Sequence, residues 1–223
     1  MRFVCQELEK DLEWKEKICG NELIVESPLL LRKILRSFAE NGEDKFVNFI
    51  EGGKELSIEK DVDVIYNPLK LDFNNRKAIT TLFKILVKRS LSEDFYLETN
   101  GFRANILKYL DSIVDAENFI FEVTADDDFN IDSIAKAVNM RIVDDEDDFV
   151  ELLTDYMTMM SELAGIKMFV FLNLRSLITI DELRRLDDNL KNRQINILLI
   201  ENKCLEKYKN FGRIIVDGDL CEL

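Results

Sequence analysis

Two groups of charged residues are the candidates for chemistry in this sequence. One is an acidic turn holding Glu122, Asp126, Asp127, Asp128 and Asp132. Its carboxylates suit a hard ion, above all calcium, which takes roughly six to eight oxygens in flexible geometry. The spacing D-x-D-x-N-x-D from Asp126 to Asp132 matches the start of an EF-hand loop, but Ile131 stands where glycine is needed and Ala137 where the bidentate glutamate belongs. A metal site here is therefore of another kind, and a solvated acidic turn is the competing account. The second group is basic. Lys70, Arg76, Lys77, Lys84, Lys88 and Arg89 face only Asp72 between residues 70 and 89. On a helix, at about 100° per residue, Lys77, Lys84 and Lys88 fall within about 40° of one another. Ile79, Leu82, Phe83 and Leu86 lie on the other side. Such a stripe suits phosphates, which attract cations without regard to sequence. It is also what the solvated face of an amphipathic helix looks like.

The charge surrounding these groups is uneven. Residues 111–155 hold 15 acids against Lys136 and Arg141, so this stretch accounts for nearly all of the chain's net charge of −14. The tract Asp144 to Asp148 within it precedes a helix, where anions complement the macrodipole. Histidine is absent. That removes the Ser-His-Asp and Cys-His nucleophile systems and most zinc and iron sites. An enzyme would have to use the carboxylates of 122–132 to hold magnesium for phosphodiester hydrolysis, and no nucleophilic or basic partner accompanies them. No catalytic residue is expected. The nearest approach to a phosphate loop is NFIEGGKE (48–55), with Gly53-Lys54 in place, but Asn48 replaces the first glycine and Glu55 the magnesium-binding hydroxyl. A turn with two glycines is the better reading.

Cys5, Cys19, Cys204 and Cys221 are far apart with no C-x-x-C pair, which suits reduced thiols. The first residues lack an apolar signal region, and no apolar run reaches the ~18 residues that span a bilayer, so a cytoplasmic protein without a membrane partner is expected.

The elements that must position the charges follow from periodicity. ELIVE (22–26) reads as a strand, Ser27 and Pro28 open a helix to about Glu40, and KFVNFI (45–50) resumes as strand. KMFVFLNL (167–174), a capping box of Thr179 and Glu182, and INILLIE (195–201) form a second strand-helix-strand unit. Strands this apolar are covered on both faces, and a helical crossover implies a parallel pair. Residues from about 74 to 117 read as a helical insertion, with one helix capped by Asn74-Asn75 and running to about Ser90, and a second from Phe102 to Glu117. Beyond lie a strand-like NFIFEV (118–123), a short helix near 131–138, a possible strand at Met140 to Val143, and a helix from about Asp147 to Leu163 ended by Gly165. The expectation is an α/β protein with a mostly parallel sheet, divided into a discontinuous head (1–66 and 126–223) and an inserted α-helical leg (67–125).

The ordered set of NELIVESPLLLRKILRSF, DVIYNPLKLDFNNRKAITTLFK, FEVTADDDFNIDSIAKAVNMRIVD, and KMFVFLNLRSLITIDELRRL followed by INILLIE resembles the CRISPR-associated adaptation proteins of subtype II-A systems, the Csn2 family. The resemblance covers most of the chain and rests on order and pattern. It implies a head similar to a P-loop ATPase core that has lost its nucleotide site. It also implies a homotetrameric ring that binds double-stranded DNA ends, calcium held by acids near the leg-head junction, and spacer acquisition beside the integrase and the RNA-guided nuclease. Glu122, Asp126, Asp127 and Asp128 match the acidic junction best. An acidic adaptor that docks proteins through 144–155 and never touches DNA is the alternative.

Overall fold

The computed structural model describes residues 1–15, 18–117, 119–126 and 129–223. In chain order, the elements begin with strands β1 (Arg2–Cys5), β2 (Leu12–Glu13) and β3 (Gly20–Val25), helix α1 (Pro28–Ala39), and strands β4 (Val47–Glu51) and β5 (Lys54–Glu55). A one-turn helix α2 (Ile58–Asp61) and strand β6 (Val62–Ile65) precede helices α3 (Arg76–Ser90), α4 (Tyr96–Glu117) and α5 (Ile131–Ala137). Helix α6 (Phe149–Met159) runs into a π turn (Met160–Ala164). Strand β7 (Met168–Leu172), a 3-10 turn (Leu174–Ser176), helix α7 (Ile180–Arg193), and strands β8 (Asn196–Glu201) and β9 (Gly212–Val216) complete the chain. Two compact units result, Met1–Phe73 with Asp144–Leu223, and Asn74–Val143.

The first unit is α/β, with a five-stranded sheet ordered β6-β7-β8-β3-β9, parallel throughout. β3, β7 and β8 are apolar on successive residues because both faces are covered, and they sit at its centre. The second strand-helix-strand unit folds as its sequence predicts. Phe169 pairs with Ile197 and Phe171 with Leu199 in parallel register. The Thr179 side chain accepts from the Glu182 backbone while Glu182 returns the bond, closing the capping box of α7. Leu183, Leu186 and Leu190 are buried on one face of that helix.

The first such unit departs from expectation. β4 does not join β3. It pairs antiparallel with β1 in a separate sheet ordered β2-β1-β4-β5. The cause is the alternation of Val47 and Phe49, fully buried, with the partly exposed Asn48 and Ile50. That is the pattern of a strand with one solvated face. Phe3, Phe38, Phe49 and Trp14 pack together there, Phe3 and Phe49 with centroids 5.1 Å apart. They join Leu23, Val25, Val170, Leu198 and Ile200 in one core.

The second unit holds α3, α4 and α5. Its limits, 74 and 143, differ from the predicted leg of 67–125. Residues 67–73 go with the α/β unit, and 129–143, expected in the head, pack with the helices. Two contacts explain the latter. Lys136 of α5 lies over the Phe83 ring of α3, 5.9 Å from its centroid. The Asn74 side chain donates to the Ile142 carbonyl at 2.9 Å and accepts from its N–H at 2.8 Å. That amide occupies the backbone groups a strand partner would use, and Met140–Val143 forms no strand. In 118–123, Asn118 lies outside the described residues, and 119–123 is irregular. Helix α4 begins at Tyr96, a turn and a half before the expected Phe102.

Candidate functional site

The basic residues are positioned by α3. The Asn75 side chain accepts from the Ala78 N–H at 3.1 Å, satisfying one of the first-turn donors and fixing where the helix starts. Ala78 and Phe83 are buried, and Lys77, Lys84 and Lys88 are exposed. The lysine stripe therefore exists and faces outward. Arg76 is exposed beside it, while Arg89 is held by Asp94 at 3.0 Å and stacks over Phe95. Lys70 is exposed but belongs to the α/β unit, so the structure does not extend the stripe to it.

A cleft of about 550 Å³ opens between α3 and α5. Phe83, Val87 and Leu91 line it with carbon, and Lys84, Lys88 and Lys136 stand around it. Lys136 is paired with Asp132 at 2.7 Å, an i,i+4 contact along α5. That bond holds the Asp132 carboxyl below the usual carboxylate range. Among the described residues, Lys84 and Lys88 have no such partner.

The predicted metal ligands are not brought together to the same degree. Asp127 and Asp128 lie outside the described residues. Glu122 is exposed in the irregular stretch after α4, Asp126 is exposed further along it, and Asp132 is committed to Lys136. Among the described residues, no three acidic or cysteine side chains form a group that could hold a metal ion. Glu122, Asp126 and Asp132 by themselves do not fit calcium, which needs several oxygens converging on one point. Of the later acids, Asp148 has a structural account. Asp148 is the N-cap of α6, accepting from the Val150 and Glu151 N–H groups at 2.9 and 3.2 Å. Those bonds and the Arg185 guanidinium at 3.0 Å hold its carboxyl below the usual range.

The EGGKE segment is the hairpin between β4 and β5, with Gly52 and Gly53 both at positive φ (57° and 79°) in open space. It joins two antiparallel strands and does not lead from a parallel strand into a helix, as a phosphate loop does. The chain leaves β3 through Glu26 and Ser27 and enters α1 at Pro28, a connection without glycine.

Two buried polar groups of the α/β unit were not anticipated. Glu22 of β3 lies directly opposite Arg213 of β9 and accepts from Arg213 Nε at 2.6 Å and from Arg175. Those arginines also donate to the carbonyls of Leu205 and Glu206, tying the chain after β8 to the sheet. The second group centres on Asp187 of α7. It accepts from Cys19 Sγ, Lys191 Nζ, Tyr208 OH and Asn210 Nδ2 at 3.0, 2.5, 2.8 and 2.8 Å. Burial opposes its charge, but the four donors hold its carboxyl below the usual range, while burial and the Asp187 bond push the Cys19 thiol far up. A protonated, enclosed thiol is no nucleophile. Each group had a signal: Glu22 and Arg213 interrupt apolar strands, and Asp187 falls on the leucine face of its helix.

No helix among the described residues is long and apolar enough to cross a membrane. No curated protein matches the chain. The family model described as CRISPR-associated protein (Cas_Csn2) matches residues 38–220, a span that takes in the α/β unit from the end of α1 onward and all three helices of the second unit. A match over most of the chain settles the relationship: it belongs to the Cas_Csn2 family of CRISPR-associated proteins.

Proposed function

We propose that the chain acts in CRISPR adaptation as a non-catalytic, calcium-dependent binder of double-stranded DNA ends, assembled as a homotetrameric ring beside the integrase and the RNA-guided nuclease. The observation that carries DNA binding is the outward stripe of Lys77, Lys84 and Lys88 on α3, with Arg76 beside it, in a chain of net charge −14. A lone molecule of that charge repels a polyanion. A ring that turns several α3 helices toward one axis gives its centre a field of opposite sign to the whole. The α/β unit suits a supporting role. Its first parallel strand lies inside the sheet and feeds a helix directly, as in a P-loop-like core, with two residues where a phosphate loop would be.

Calcium enters this reading through charge. It would offset acids that oppose both assembly and DNA, and its ligands would have to include groups beyond Glu122, Asp126 and Asp132. The test is retention of duplex DNA with calcium or with chelator, on linear and circular forms of equal length. Capture of linear duplex in calcium, absent in chelator and absent on closed circles, is the expected result. Equal affinity with and without calcium removes the metal from the reading. Intact binding after Arg76, Lys77, Lys84 and Lys88 are all changed to Glu removes the helix from it.

A further inference from the structure

The cleft between α3 and α5 has the wrong floor for a phosphate. Phe83, Val87 and Leu91 offer carbon, which gives a phosphate no hydrogen bond in return for lost water, and the Asp132 carboxyl, which repels it, lines the cleft beside Thr80 and Asn130. Lysines around an apolar floor suit a segment that is itself apolar and acidic. The chain carries one. Residues 119–126, FIFEVTAD, follow α4 with Ile120 fully exposed (103%) and Phe121 63% exposed, and with Phe119 and Val123 uncovered as well. Phe119 and Phe121 stack on each other with centroids 5.1 Å apart and find no wider cover. Apolar side chains this exposed and this close in sequence mark a docking segment. Glu122 and Asp126 lie among them, with signs opposite to Lys84 and Lys88.

We infer that residues 119–126 of one copy of this chain occupy the α3–α5 cleft of a second copy, placing Phe121 and its apolar neighbours on Phe83, Val87 and Leu91 and setting Glu122 against Lys84 and Lys88. The segment's own cleft is not its seat: Ile120 is fully exposed, and the chain runs on to Asn130, which is part of that cleft's wall. Opposite charge and matching apolar surface are what an exchanged segment needs. The contact gives the ring of the proposed function an interface but does not depend on DNA. It rests on that reading and narrows it, assigning Lys84 and Lys88 to assembly and confining the phosphate contacts of α3 to its start, at Arg76 and Lys77.

The test is the mass distribution of the whole protein in solution without DNA, by sedimentation over a range of concentrations. Lys84→Glu with Lys88→Glu, and separately Glu122→Lys, are each expected to weaken self-association by about fivefold or more, an effect of the size of one or two exposed ion pairs. Phe121→Ser is expected to weaken it by about tenfold. Combining the three charge changes should restore most of the lost association, which misfolding cannot do. Unchanged mass in every variant overturns the inference, as does failure of the combined variant to recover. A loss of DNA retention in the lysine variant with its mass unaltered also overturns it, because the lysines would then serve phosphate and not the segment.

Discussion

Glu201 is the most exposed of the buried groups to a change in pH, in the thermodynamic sense. It ends β8, is 1% accessible, and accepts from the Arg175 N–H at 2.9 Å through one oxygen, while the other oxygen has no partner. Burial is the main reason its pKa is pushed up to about 7; the Arg175 N–H and guanidinium draw it back, and Glu22 nearby adds to the rise. The folded value lies above the unfolded one, so the folded state binds the proton more tightly. Its contribution to stability is complete below about pH 4.5, the ordinary glutamate value, and is lost as pH climbs through 7. Glu201→Gln removes the titration and keeps the oxygen that Arg175 uses. With one pKa unit equivalent to about 1.4 kcal/mol, and part of the gain returned by a buried amide, the variant should be stabilised by about 2 kcal/mol at pH 8. At pH 5, where little of that difference has developed, the cost of the buried amide should leave the variant no more stable than the parent, or slightly less. Thermal melts at the two pH values decide it, and an equal shift at both would sink the explanation. Asp187 is the converse case. Asp187→Ala strands the ammonium of Lys191 and the donors of Tyr208, Asn210 and Cys19, and should cost about 3 to 5 kcal/mol. Asp187→Asn, which keeps an acceptor, should cost clearly less in the same melts.

Elements whose signals are local could be read from the sequence, and those that depend on a distant partner could not. Helix α3 begins after Asn75 and ends at Ser90 as its cap and periodicity predict, and α7 follows its capping box. A helix satisfies its backbone within itself, so caps and spacing suffice. FIFEV and MRIV carry strand residues, yet a strand exists only where a ladder receives it. Among the described residues no strand flanks either, and the amide of Asn74 takes the place of one at Ile142. For the same reason KFVNFI was legible as a strand but not as a member of a second sheet. The predicted metal ligands rested on composition alone, and spacing by itself does not bring carboxylates to one point. The cap of α3 offers the element's own test. Asn75→Ala should cost about 1 kcal/mol. The loss should appear first as faster hydrogen exchange at the amides of Lys77 and Ala78, with the α7 amides unaffected. Uniform loss of protection across both units would mean that the cap holds more than its helix.

At the scale of the whole molecule, the separation of charge is the property that a DNA-binding role must explain. Fifteen acids crowd 111–155, while α3 carries Arg76, Lys77, Lys84, Lys88 and Arg89 with no acid among them, so the net charge of −14 describes neither region. Had the cations been scattered, mean repulsion would govern the encounter with a polyanion. Gathered on one helix, they act together within a Debye length of about 8 Å at physiological salt, and charges farther away than that are largely screened. Two consequences can be measured on duplex DNA. Affinity should fall steeply with salt, log K changing by about 0.9 per phosphate neutralised. Arg76→Glu with Lys77→Glu should lower that slope by about 2 for each chain that contacts the duplex, and weaken binding about equally on unrelated sequences. A slope that survives the double change would move the phosphate contacts off the start of α3. Lys84 and Lys88 would then be the remaining cations of the stripe, and the division of labour between DNA and the second copy would have to be reversed.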